Sequence, residues 1–158
     1  MNNTNKKSVS VMSLIVSVSA VIGAVVGSLT VQSMFNNGSN VDADAVLKQT
    51  AEELNKQLPM TVDKYTRLDT STALPGGKFK YIYTVFADES FPEAAEFEAN
   101  LKPKLINMYQ TSDDMKSMRD VKATLVYSYF LEDGTEYTTF EVLADESTSG
   151  VHKEATDL

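Results

Sequence analysis

The chain has 158 residues, no Cys, no Trp, a single His and a formal net charge of −8. The absence of Cys excludes disulfides, thiol nucleophiles and thiolate metal sites. The acidic excess disfavours nucleic acid and anionic lipid surfaces as partners, because both require a basic patch on the protein.

Residues 8–35 read SVSVMSLIVSVSAVIGAVVGSLTVQSMF and hold neither a charge nor a proline. Their densest part is roughly twenty residues long, which at about 1.5 Å per helical residue spans a bilayer core of about 30 Å. The pattern predicts a transmembrane signal-anchor helix over residues 9–35, behind a basic head at residues 1–8. Lys6 and Lys7 precede the span and the first charge after it is Asp42. The positive-inside rule then puts the N-terminus in the cytoplasm and the body in the periplasm or outside the cell. A signal peptide has a shorter apolar core, about 7–15 residues, followed by a small-residue cleavage site. Ala20 or Ala24 would cut inside the run, so secretion after cleavage is the alternative. Ser19, Gly23 and Gly27 fall on one stripe of the helix, and small residues four apart let two membrane helices approach closely. They are the candidate helix–helix contact.

All 22 acidic residues and 12 of the 14 basic ones lie beyond residue 41, giving that part a net charge of −10. Residues 36–41 carry the polar NNGSN and read as a linker. From Asp42 to Leu58, the spacing of Leu47, Ala51, Leu54 and Leu58 predicts an amphipathic helix, capped by Asp42 or Asp44 and stopped by Pro59. The second half of residues 60–74 reads as a strand. Lys78 to Phe86 alternates cleanly, with Phe79, Tyr81, Tyr83 and Val85 on one face. A two-residue Gly76-Gly77 turn would pair Leu74 with Phe79 and Leu68 with Val85.

Ser90 and Pro92 open a second predicted helix, with Ala94, Phe97, Leu101, Leu105 and Met108 as its buried stripe and Pro103 expected to kink or split it. Residues 113–120 add a short helical stretch burying Met115 and Met118. Lys122 to Leu131 is the clearest strand. Asp133-Gly134 predicts a hairpin that sets Tyr127 opposite Phe140 and Leu125 opposite Val142. Residues 145–158 turn polar and read as a disordered acidic tail. Two hairpins cannot hide their apolar faces alone. The fold expected for residues 42–144 is therefore α+β in the order α-β-β-α-β-β, with a four-stranded, mostly antiparallel sheet and helices on one face.

The run Leu54-Asn55-Lys56-Gln57-Leu58-Pro59-Met60-Thr61-Val62-Asp63, then Thr66-Arg67-Leu68-Asp69, and later Val126-Tyr127-Ser128-Tyr129 before Asp133-Gly134, resembles a widespread group of small, exported or membrane-anchored bacterial proteins of uncharacterised function. The resemblance covers roughly residues 42–143. Members of that group often carry cysteines after the second helix and near the last strand; this chain has Tyr109-Gln110-Thr111 and Ala144-Asp145 there. The resemblance implies a bacterial, extracytoplasmic origin and supplies no activity.

No catalytic, cofactor-binding or metal-binding residues emerge. His152 is alone and sits in the predicted tail, which argues against a metal site or a His-based triad. Asp63, Asp69, Asp113, Asp114 and Asp120 are better explained by caps, turns and solvated charge than by an acid pair across a cleft. The segment Asp63 to Arg67 reads as either a turn or a recognition loop. The four tyrosines Tyr81, Tyr83, Tyr127 and Tyr129 fall on the core faces. On the opposite face, Ile82, Phe86, Val126, Phe130 and Tyr137 form the candidate interface patch. The function expected is a non-enzymatic, membrane-anchored interaction or assembly module of the bacterial envelope, with an envelope protein or a second copy as partner. A small-ligand-binding periplasmic domain is the alternative, and an enzyme acting on envelope material the third reading.

Overall fold

A computed structural model describes residues 42–146. The predicted anchor over residues 9–35, the linker over residues 36–41, the Ser19, Gly23 and Gly27 stripe and the tail from residue 147 onward lie outside the described residues. No helix among the described residues is long and apolar enough to cross a membrane.

Helix α1 spans Ala43–Asn55 and buries Val46, Leu47, Thr50, Ala51 and Leu54. The Asp42 carboxylate caps it, accepting the Asp44 N–H at 3.1 Å. Strands β1 (Met60–Thr61), β2 (Thr66–Leu74) and β3 (Lys78–Val85) follow. Helix α2 runs over Ala94–Thr111. A 3-10 turn at Asp113–Met115 and helix α3 (Lys116–Asp120) then lead into β4 (Thr124–Leu131) and β5 (Glu136–Val142).

The sheet is mixed, with five strands in the order β1-β2-β3-β4-β5. This corrects the expected strand count of four, while three of the four pairings are antiparallel. The two-residue β1 adds an edge strand beside β2, pairing Met60 with Leu68. The two hairpins join through a parallel β3–β4 pair, Phe79 beside Leu125 and Tyr83 beside Tyr129. Parallel neighbours need a long crossover, and α2 with the short helices after it supplies one.

The second hairpin has the expected register, Tyr127 opposite Phe140 and Leu125 opposite Val142. The first does not. Leu74 pairs with Lys78, because Gly76 and Gly77 both adopt positive φ (82° and 72°) and the connection takes Pro75 as well. That one-residue offset moves Leu74 off the Phe79 face. A bulge between Leu68 and Thr70 then sets Leu68 opposite Tyr83, on the core side.

Pro103 lies inside α2 without splitting it. Its ring removes one donor to the carbonyl of Ala99. Ala99 is exposed, so water can take that carbonyl. The buried side of α2 carries Phe97, Leu101, Leu105, Ile106, Met108 and Tyr109. Ser90 is not the cap of α2; its N–H and hydroxyl donate to the Asp88 carboxylate at 2.9 and 2.5 Å.

Both long helices pack into one cluster with the Phe79, Tyr81, Tyr83, Leu125, Tyr127, Tyr129 and Phe140 side of the sheet. The tyrosines stack across β3 and β4, with centroids 4.7 Å apart for Tyr83–Tyr129 and 5.2 Å for Tyr81–Tyr127. The other sheet face carries no described helix.

Candidate functional site

The uncovered sheet face is built by the alternation of β3 and β4. While Tyr81 and Tyr83 point inward, Lys80, Ile82 and Thr84 point outward and remain half-buried. On β4, Val126, Ser128 and Phe130 take the same side, beside Lys80, Ile82 and Thr84 in the parallel register. Val126 and Ser128 are buried between neighbouring strands; Ile82, Phe86 and Phe130 are half-buried.

Four of the five expected patch residues therefore share this face. Tyr137 does not, and its place is corrected. A bulge between Tyr129 and Phe130 leaves Tyr137 as the extra residue of β5 and turns it toward the helix side. There its ring lies 5.7 Å from Phe91 and 5.6 Å from Phe97, and its hydroxyl donates to the carbonyl of Pro92.

Charged groups border the patch at both ends. At one end Lys78 Nζ meets Glu141 Oε1 at 2.6 Å. At the other, Arg67 pairs with Asp69, which also accepts the Thr84 hydroxyl at 2.5 Å. The Arg67 guanidinium lies 5.4 Å from the Phe86 ring centroid. Both ion pairs are substantially exposed and contribute about 0–1 kcal/mol each. Their effect is mainly to hold two long side chains at the rim of an apolar strip. The sequence gave one hint of the Arg67 cluster, the polar density of residues 63–67. The bulge that places Asp69 beside Arg67 left no hint.

The Asp63 to Arg67 segment is itself a turn into a strand. One Asp63 carboxylate oxygen accepts the N–H groups of Tyr65 and Thr66 at 2.7 and 2.9 Å. Tyr65 is buried. The local hydrogen bonds explain the polar residues without a ligand.

The covered face offers a different chemistry. Burial pushes the Tyr81, Tyr83, Tyr127 and Tyr129 hydroxyls well above the ordinary phenol range, and neighbouring groups add to this. None of the four has a hydrogen-bond partner among the described residues. The Tyr109 hydroxyl, by contrast, donates to the carbonyl of Ala123 at 2.7 Å, and burial lifts it to about 12. The stacked rings fill the core as the sequence pattern predicts.

Two surface hollows lie among the described residues. One, of about 430 Å³, lies between α1 and β2 beside Lys48, Asn55 and Thr72. The other, of about 380 Å³, lies on α2 at Ala95, Glu98, Ala99, Lys102 and Pro103. Both are surface features, unlike the enclosed pocket with convergent polar groups that typifies small-ligand sites. Among the described residues no three His, Asp or Glu side chains gather as metal ligands do. Asp88 and Asp133 are shifted below the usual carboxylate range, chiefly by hydrogen bonds from Ser90 and Thr135 respectively. Shifts in that direction do not make a general acid.

Residues 42–138 match the family described as Domain of unknown function (DUF8479). No curated protein matches the chain in sequence. Among solved structures the fold is similar to the type II secretion system pilotin AspS of Vibrio cholerae. That alignment has a TM-score of 0.51 and 14% identity, and covers 66% of this chain and 91% of the pilotin. It is also similar to EpsS, the pilotin of the Vibrio vulnificus type 2 secretion system. There the TM-score is 0.53, the identity 10%, and the coverage 65% of this chain and 88% of the pilotin. At these identities the likeness concerns the fold alone.

Proposed function

The chain belongs to the DUF8479 family, and from that premise we propose that it is a membrane-anchored, extracytoplasmic interaction or assembly module of the bacterial envelope. The observation that carries this reading is the asymmetry of the sheet. One face is fully occupied by helices and tyrosines. The other presents Ile82, Phe86 and Phe130, half-buried, with Val126 buried at the Lys78 end, between two charged borders. An apolar strip with an ionic rim is the anatomy of a protein-binding surface. Two proteins with this fold are named as pilotins of secretion systems, which supports an assembly role. The charge-free run at residues 8–35 supports tethering, with Lys6 and Lys7 inside and the domain outside the cytoplasm. A Ser19, Gly23 and Gly27 contact between two anchors would let the partner be a second copy.

The test is a photo-crosslinking residue placed at Ile82 in the full-length, membrane-embedded chain, with the same residue at exposed Glu52 as control. The reading predicts a discrete adduct from position 82 and none from position 52. Equal labelling at both, or none at either, would overturn it. The orientation has its own check: a reporter fused after Leu158 should be inactive for cytoplasmic substrates.

A further inference from the structure

The two edges of the sheet are treated differently. The outer side of β2 is occupied. β1 pairs with it at Arg67 and Leu68. Further along, the Asn55 side chain donates to the Ser71 carbonyl and accepts the Ser71 N–H, both at 2.8 Å. A side-chain amide thus stands in for a neighbouring strand. No described strand pairs with the outer side of β5.

The register says which β5 groups face outward. The Thr124 N–H donates to the Gly77 carbonyl at 2.9 Å, on the β3 side. By alternation, the backbone groups of Val126 and Ser128 also turn toward β3 and away from β5. Their partners Glu141 and Thr139 then form non-hydrogen-bonded pairs with β4. The 2.9 Å contact from the Thr139 hydroxyl to Ser128 Oγ fits the closer side-chain spacing of such a pair. The N–H and C=O of Thr139 and Glu141 therefore point along the free edge.

The surroundings of that edge are acidic. Glu136 lies on β5, and Glu141, also on β5, is paired with Lys78. The Thr138 hydroxyl donates to Glu98 Oε2 at 3.1 Å, and Glu93 and Glu96 lie close enough to raise the Tyr137 hydroxyl. Lys102 is already paired with Glu146 at 3.1 Å. Beside Glu98, the hollow on α2 is floored by Ala95, Ala99 and Pro103, small groups against which a long aliphatic stem can lie.

The geometry points to β5 as a docking edge for an extended, basic segment of a partner protein, which adds as a sixth strand and lays Lys or Arg stems over Ala95 and Ala99 toward Glu98. Backbone pairing supplies the binding and the charges select the sequence. A second copy is the poorer occupant, because antiparallel β5–β5 pairing would bring Glu136 and the α2 carboxylates of both copies together.

This inference rests on the interaction-module reading. The test uses the full-length chain in zwitterionic detergent micelles and a nine-residue peptide of alternating Lys and Val, with an alternating Glu and Val peptide as control. The Lys peptide should slow amide exchange at Thr139 and Glu141 at least tenfold, and the Glu peptide should not. Thr139→Pro removes an outward N–H at an edge position, where proline is tolerated, and should weaken Lys-peptide binding at least tenfold. Glu98→Gln should weaken it about threefold or more at low salt. Unchanged exchange with the Lys peptide, or equal binding of the two peptides, overturns the proposal. So does protection already present without peptide that vanishes when residues 147–158 are removed, since the chain's own tail is then the occupant. Should Thr139→Pro not fold, exchange in the unsubstituted chain decides. A failure here beside a successful Ile82 crosslink removes the edge and leaves the open face standing.

Discussion

Asn55 is exposed, yet it joins helix α1 to the edge of the sheet. Its side-chain amide makes two 2.8 Å hydrogen bonds with the backbone of Ser71 and also accepts the Ser71 and Thr70 hydroxyls at 3.1 and 3.3 Å. Ser71 is 2% exposed, so truncation at Asn55 leaves its N–H and C=O without their partners beside the hollow between α1 and β2. A net hydrogen bond contributes about 0.5–1.5 kcal/mol, and an unpaired buried group costs about 1–3 kcal/mol. Asn55→Ala should therefore lose about 2 kcal/mol. For a domain of about 100 residues that is a fall in Tm of about 8–16 °C. Urea unfolding measures it directly, with the midpoint lowered and the slope m unchanged. Asn55→Asp sharpens the test, since it keeps the acceptor for the Ser71 N–H and sets an anionic oxygen against the Ser71 carbonyl. It should be destabilised at pH 7 and recover partly below about pH 4, where a protonated carboxyl can donate again. A loss under about 0.5 kcal/mol for both variants would refute the role of Asn55 as a surrogate strand.

Three further outcomes follow from the described groups. Tyr127→Phe removes a buried hydroxyl that has no partner among the described residues and should be neutral or stabilising by about 1 kcal/mol in urea unfolding; a loss of about 2 kcal/mol would mean the hydroxyl is satisfied. Asp88 and Asp133 titrate lower in the folded chain than an ordinary aspartate at 3.8. Their contribution is thus present above that value and lost as pH falls through the depressed folded one; acid unfolding of an Asp88→Asn, Asp133→Asn variant should show a shallower dependence on pH. Tyr137 is raised from 10.0 to about 12, by burial first and then by Glu93 and Glu96. Its contribution is complete below about pH 10 and lost as pH rises through about 12, so Tyr137→Phe should flatten the alkaline limb of a stability–pH curve.

The sequence was most legible where one local signal and one period agreed. Asp133-Gly134 fixed the second hairpin, with Gly134 at φ 84°, and the alternation of β4 placed Tyr127 and Tyr129 in the core. The Gly76-Gly77 turn was ambiguous because Pro75 could join it, and that single residue shifted the register. Bulges at Asp69 and Tyr137 each consume a residue without a sequence signature, and the second moved Tyr137 from the open face to the helices. The parallel β3–β4 pair was hidden for another reason. β3 alternates like a surface strand, because one of its faces carries no described helix, while β4 is a nearly continuous apolar run whose Asp133-Gly134 turn drew attention to its antiparallel partner β5 instead. At the candidate face, Ile82, Phe86, Val126 and Phe130 followed from period two alone, while the Arg67, Asp69 and Thr84 cluster depended on the unforeseen bulge.

The central claim is that the Ile82 and Phe130 face holds the domain to a protein partner. Native-state sizing of the chain taken from the cells that express it, alongside an Ile82→Lys, Phe130→Lys variant, tests it most directly. Both substitutions sit on half-buried positions outside the core cluster, so Tm should fall by no more than a few degrees. The account predicts that the original chain migrates in an assembly larger than its own 17.4 kDa and that the variant migrates alone. A folded variant that stays in the same assembly would contradict it.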